Sequence, residues 1–414
     1  MRRSLSLGVL LLGLLLLIGL ACRPRPAAAP APAPAPPPAP APAPKPAPVP
    51  GAPTELKVAL VEFLSGAAAK VGVATVNGGK LVFDQTNDAG GIGGVKVKYI
   101  VVDEAGPVDK VVSEFRRLVL DEKVDAVLGY ASSANCLAVA PVAEELKTLT
   151  IITGCRTPRL FEEAKRKYVF RIPGTVVTDA VAAALYVAQA RPDLKTVAGI
   201  NQDYAFGRDS WELFRRALLK VKPDVQVVEV LWPKLFAGEY SAEISKLLAA
   251  KPDAVYTSFW GGDFDSFIKQ SLPRGLLQQS LVVSSAAWAS LLTLGKDFPE
   301  GVVQGAGGGF IPYSSPDPAR HPLTKKFLDD YEAKYGEFPV SNSVEGARAA
   351  LALKTAYEKA IRAAGKWPTL EEVIKALEGA EFDAPGGRIS MTLGNGHQAA
   401  QPYVLGITSS KRHP

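Results

Sequence analysis

Histidine and methionine are scarce in this chain of 414 residues, with 3 of the first and 2 of the second, and there are only 3 cysteines. The histidines (His321, His397 and His413) fall late, in turn-like sequence. They form no cluster at metal-ligand spacing, and Cys136 and Cys155 have no ligand-like companions. A serine or cysteine triad lacks its base for the same reason. The stretch GYASSA has no G-x-S-x-G elbow, and Cys155 has no histidine near it in the sequence. A dinucleotide fingerprint is missing as well. GGIGG at 90–94 follows a helical stretch and precedes a strand, the wrong side for cradling a pyrophosphate. GGGF at 307–310 does not have the G-x-G-x-x-G spacing. No catalytic residue, cofactor or metal is therefore expected.

Runs of one charge are also lacking. The formal net charge is +6, with Lys and Arg scattered along amphipathic stretches, which describes solvated helix faces and not a nucleic-acid surface. The biased composition lies at the front. Residues 1–22 carry Arg2 and Arg3, an apolar run from Leu7 to Leu20, then small residues and Cys22. This pattern is a secretory signal, and the run is shorter than the ~20 residues of a membrane span. The segment Ile18–Cys22 resembles a bacterial lipobox, which implies a lipid on Cys22 and a membrane tether outside the cytoplasm. Residues 23–54 are nearly all Ala and Pro, so they read as an extended spacer. About thirty residues at ~3.1 Å each reach on the order of 90 Å. In an exported chain disulfides persist. Cys136 and Cys155, each just past the end of one of two neighbouring strands, are candidates for one.

From Glu55 onward apolar runs alternate with amphipathic stretches. Strands are expected at 56–63, 95–103, 125–129, 149–153, 168–172, 195–201, 225–231, 253–259 and 280–285. Helical spacing occupies 70–88, 108–122, 175–190, 207–220, 239–250 and 262–273. Such alternation means parallel sheets covered by helices on both faces. Too many strands are present for one comfortable sheet, so two lobes are expected. After Gly305 come long helices (322–335, 343–364, 369–379), a turn-rich segment and a closing strand at 401–407. The run Ala126-Val127-Leu128 reads as a strand buried on both faces. It is followed by Ser132-Ser133 at the start of a helix, where a serine caps the helix and free N–H groups suit a carboxylate.

Four features in order, LSG after the first strand, NDAGGIGG before the second, GYASS after the third and DYAFG in the second half, resemble the type I periplasmic solute-binding proteins of the branched-chain amino acid (Leu/Ile/Val) class. The resemblance covers roughly 55–410. It implies two Rossmann-like lobes joined by three crossovers, with ligand held in the cleft between them. The crossings are expected near Pro173-Gly174, Gly301–Gly305 and Ala384–Gly387. The domains would then be 55–173 plus 305–383 for the first lobe and 174–304 plus 384–414 for the second. The implied function is capture of an amino acid or related small carboxylate for the permease subunits of an ABC importer, by a monomer that binds no nucleic acid. The same fold could instead present its ligand to a membrane receptor as a sensor.

The resemblance also assigns site residues. Ser132, with Ser133 and nearby N–H groups, takes the ligand carboxylate. Gly154 and Arg156 stand where the family touches carboxylate and amine. Tyr204 closes from the second lobe, Trp260 forms a cleft wall, and Phe310 is a further aromatic candidate. Ser285 falls about where the family has a Glu for the ligand ammonium. Arg156 in place of a neutral hydroxyl, and Ser285 in place of an acid, point to an anionic ligand. Asp203, Asp263 or Glu62 remain as acids that could compensate.

Overall fold

The computed structural model describes residues 47–307, 322–401 and 403–409. The signal, Cys22, most of the Ala/Pro stretch, Phe310, His321 and His413 lie outside them.

The strands are β1 (Glu55–Glu62), β2 (Lys96–Asp103), β3 (Ala126–Gly129), β4 (Leu149–Ile152), β5 (Val169–Arg171), β6 (Thr196–Ile200), β7 (Gln226–Leu231), β8 (Ala254–Thr257), β9 (Leu281–Ser284), β10 (Val303–Gly307), β11 (Glu381–Ala384), β12 (Gly387–Leu393), β13 (Gln398–Ala400) and β14 (Tyr403–Ile407). They form two sheets, ordered β11-β12-β13-β5-β4-β3-β1-β2 and β14-β10-β9-β8-β6-β7. The central pairings are parallel. Sequence follows position: AVLG in β3, LTII in β4 and AVYT in β8 are buried at every residue, because helices cover both faces. Edge strand β2, KVKYIVVD, mixes exposed and buried residues.

In the first lobe, helices Ala69–Asp88 and Ser341–Ala364 pack so closely that glycine is required at the contact. A Cβ on Gly78 would stand 1.8 Å from the Ser343 carbonyl oxygen, and one on Gly346 would stand 1.9 Å from that of Thr75. The second lobe has its own core on either side of its sheet, with Phe214, Trp211 and Tyr256 on one face and Phe259, Phe264 and Phe267 on the other.

The expected boundaries need three corrections. The first crossing does follow β5, since helix Val176–Ala190 packs in the second lobe. β10, however, pairs with β9 and β14 in the second sheet, so the second crossing falls after Gly307 and not near Gly301–Gly305. Ala384–Gly387 is a hairpin inside the first sheet, with Ala384 paired to Gly387. Gly386 and Gly387 take φ of +83° and +121° there, and a tight turn uses the same residues as a hinge. The third crossing lies between β13 and β14, so 387–400 belongs to the first lobe. The end of the expected spacer is also folded. The Val49 N–H donates to Gly93 O (3.0 Å), and the Trp367 N–H donates to Pro50 O (2.9 Å).

Candidate functional site

The turns that leave the C-terminal ends of the parallel strands converge between the lobes, where ligands bind in open α/β sheets. They line a partly open cavity. Its first-lobe wall is Val71, Ala131, Ser133, Gly154, Arg156 and Asn342, and its second-lobe wall is Tyr204, Phe206, Trp260, Ala286 and Trp288.

Five of the seven residues picked out by sequence line it: Ser133, Gly154, Arg156, Tyr204 and Trp260. Ser132 does not. It is the residue before helix Ser133–Glu145, but its hydroxyl makes no capping bond. Its N–H (3.0 Å) and that of Ala131 (2.8 Å) donate to the carboxylate of Glu104, which also accepts from Asn135 Nδ2 at 2.9 Å. Glu104 thus occupies the helix end assigned to a ligand, and Ser133, one position on, faces the cavity. Ser285 is also displaced: it is fully buried, and its neighbours Ala286 and Trp288 form the wall.

Tyr130, at the end of β3, has φ +74°, a strained conformation for a non-glycine residue and frequent at binding sites. Its N–H bonds Val61 O (3.0 Å) and its carbonyl accepts from Cys155 N–H (2.9 Å). Cys155 is in turn disulfide-bonded to Cys136, with Cα atoms 6.3 Å apart. The two first-lobe binding turns are therefore joined to each other. Gly154 permits their approach, since a Cβ there would lie 2.8 Å from Ala131 Cα.

Arg156 is 5% exposed. It grips Asp179 of helix Val176–Ala190 bidentately, Nε–Oδ2 2.7 Å and Nη2–Oδ1 2.9 Å. Burial opposes its charge, but Asp179 outweighs that and holds the guanidinium above its usual pKa. Its plane lies 5.3 Å from the Trp288 ring centre. The Arg156 fork is thus filled by the protein itself, and only Nη1 lacks a partner among the described residues.

On the facing wall, Trp260 Nε1 donates to the Tyr204 hydroxyl (2.8 Å), fixing the ring and leaving the phenolic proton free to donate. Burial drives the Tyr204 pKa far above the tyrosine range, with Asp263 and Glu104 adding to it. Phe63 and Phe236 pack on Trp260 at ring distances of 5.9 Å and 5.1 Å.

Among the described residues, no carboxylate lines the cavity. Asp203 pairs with Arg208 in solvent. Asp263 is buried under bonds from Gln202 Nε2, the Phe236 N–H and the Tyr240 hydroxyl. Glu62 lies beneath the floor, accepting from Thr153 Oγ1. None of these three acids lines the cavity. His397 is stacked on Phe170 in the first lobe, its ring centre 4.1 Å away, and it too lies off the cavity. Sequence reasoning missed Glu104, Asp179, Trp288, Phe206 and Asn342. Glu104 alone carried a usable signal, as an acid at the C-terminal end of a parallel strand.

Outside the cavity, Asp209 of the second lobe accepts from Thr157 Oγ1 (2.7 Å) and from Arg159 Nε (3.0 Å) and Nη2 (2.6 Å) of the first, clasping the lobes together.

A periplasmic binding protein family model matches residues 55–411. A leucine-, isoleucine-, valine-, threonine- and alanine-binding protein of Pseudomonas aeruginosa is 24% identical over 340 residues, covering 82% of this chain and 86% of its own. The Leu/Ile/Val-binding protein BraC3 of Rhizobium johnstonii is 27% identical over 345 residues, covering 82% and 88%. Among solved structures, an ABC-transporter solute-binding protein from R. palustris in complex with benzoate superposes with a TM-score of 0.77 at 20% identity, over 86% of this chain and 94% of that one. The leucine-binding protein LivK from Thermotoga maritima gives 0.72 at 22%, over 86% and 96%. These structures share the type I arrangement of two mainly parallel sheets. The chain belongs to the periplasmic binding protein family, and is a solute-binding protein and not an enzyme.

Proposed function

We propose that this chain is the extracytoplasmic substrate-binding component of an ABC importer, tethered through Cys22, and that its ligand is a small carboxylic acid without an ammonium group. The observation that carries the ligand reading is the lining. Arg156 Nη1, the Ser133 hydroxyl, the Gly154 N–H and the Tyr204 hydroxyl can all donate to an acid, and no carboxylate among the described residues is there to receive an ammonium. Burying an ammonium without a partner is costly, whereas a carboxylate beside donors and a cation is stable. The walls of Trp260, Trp288 and Phe206 suit a flat apolar body. A structural neighbour holds benzoate and another is a leucine-binding protein; the lining favours the first kind of ligand for this chain.

The mechanism is capture by closure. The acid docks on the Ser133 and Gly154–Arg156 turns. Tyr204 and Trp260 then come down with the second lobe, excluding water and strengthening the bonds already made. Calorimetric titration with benzoate, 4-hydroxybenzoate and leucine tests the reading. At least one aromatic acid binds ten or more times tighter than leucine; leucine binding as tightly as or tighter than both overturns it.

A further inference from the structure

Both first-lobe binding turns stand on buried carboxyl groups. Glu104, fully buried, holds the 131–133 turn from below through the Ala131 and Ser132 N–H groups and Asn135. Glu62, 2% exposed, holds the next turn through Thr153 Oγ1. These turns present Ser133 and Gly154 to the cavity. Among the described residues, Glu62 Oε2 and the hydroxyl of Tyr130 are buried without a hydrogen-bond partner. A buried carboxyl oxygen with no donor is stable as the acid and not as the anion. Burial, then the nearby Glu104, accordingly raise the Glu62 pKa far above the carboxylate range.

We propose that this pair binds a proton together with the ligand: with the cleft empty the two carboxyls hold one proton between them, on Glu62, and an acid anion seated on Ser133 and Gly154 draws a second from solvent onto Glu104. The inference rests on the acid-ligand reading. An anion one turn away disfavours a second negative charge in the same dry region. Oε1 of Glu104 keeps its bonds to Ser132 and Asn135, so the proton belongs on Oε2, whose single bond to the Ala131 N–H is given up. The groups facing Glu104 leave it as the one that titrates. Burial, and then the nearby Glu104, favour the neutral acid at Glu62 on β1. Asp103 on β2 is held ionised by Ser65, the Leu64 and Ala105 N–H groups and Lys110. Tyr130, with Glu114 beyond it, and Tyr204 across the cleft keep their protons. Burial, opposed by its three donors, puts Glu104 at about 7 in the free protein.

A bound anion raises that value, so protons are taken up on binding. Affinity is level below the free midpoint and falls as pH rises above it, by up to about tenfold per pH unit, until the bound midpoint is passed. Titration with benzoate and 4-hydroxybenzoate at pH 7.5, in buffers of different ionisation enthalpy, measures the uptake. The expected result is a substantial fraction of a proton per acid bound, absent in Glu104→Gln, with binding about tenfold tighter at pH 6 than at pH 8. An acid that binds with no uptake, or with the same uptake in Glu104→Gln, leaves the ligand reading standing and overturns the coupling. Failure of both acids to bind overturns the ligand reading instead. Carbon-13 titration of the wild-type glutamate carboxyls needs no variant. A Glu104 midpoint near 7 that rises with acid bound is expected, and one in the ordinary carboxylate range in both states overturns the proposal.

Discussion

Arg156 and Asp179 are buried together at the back of the cavity, where each is tolerable only because of the other. Asp179→Asn leaves a buried guanidinium without its counter-charge, and is expected to destabilise the free protein by about 3–5 kcal/mol in denaturant titration. Tyr204→Ala removes a cleft wall and the acceptor of Trp260 but no core residue of either lobe. It should weaken acid binding roughly tenfold or more, with an unchanged unfolding midpoint for the free protein; equal affinity would remove Tyr204 from the site. Glu104 gives a pH signature. Its folded pKa is raised, so the native state holds the proton more tightly than the unfolded chain. Its contribution is favourable below about pH 4.5 and is lost as pH rises through about 7, on the order of 3 kcal/mol in all. Glu104→Gln should flatten that slope in thermal denaturation between pH 5 and pH 8. At this scale the sequence showed which residue types stand at the strand ends, and five of its seven site residues line the cavity. It could not show that Arg156 already has an acid partner 23 positions on. Nor could it show that Glu104, from a different strand, fills the helix end given to Ser132. Both are facts of packing between elements distant in sequence.

The two first-lobe binding turns act as a unit because Cys136 on one element is bonded to Cys155 on the other, 19 residues along. Replacing both by alanine opens that loop, and should lower stability by about 3 kcal/mol and weaken acid binding, measured by thermal denaturation and calorimetry under non-reducing conditions. Most elements were legible. The strand predicted at 95–103 is β2 at Lys96–Asp103, and the helix predicted at 322–335 is Pro322–Tyr335. Buried parallel strands are continuous apolar runs and surface helices are amphipathic, so periodicity finds both. The β11–β13 meander was read as turns and a hinge. Its strands are joined as antiparallel hairpins, and Gly386 and Gly387 form a tight turn there in place of a hinge. β10 was hard to see for a similar reason, since VQGAG carries few side chains to show a pattern.

For the whole molecule, the structure holds the lobes together through Asp209, which takes Thr157 and both ends of the Arg159 fork. None of these residues lines the cavity. Asp209→Asn weakens the clasp, worth about 1 kcal/mol for a half-exposed pair. It should lower acid affinity about fivefold by shifting the free protein toward the open form, and small-angle scattering without ligand should show a larger radius of gyration. Two lobes were evident from the number of strands, but the second and third crossings between them were not, because hinges and tight turns use the same residues.

The central claim is that the cleft favours an acid over an amino acid, because no carboxylate among the described residues lines it to pair with an ammonium. Calorimetry with two ligands that differ only in that group, 4-methylpentanoate and leucine, tests it most directly. The account predicts at least tenfold tighter binding of 4-methylpentanoate. Equal or tighter binding of leucine would contradict it.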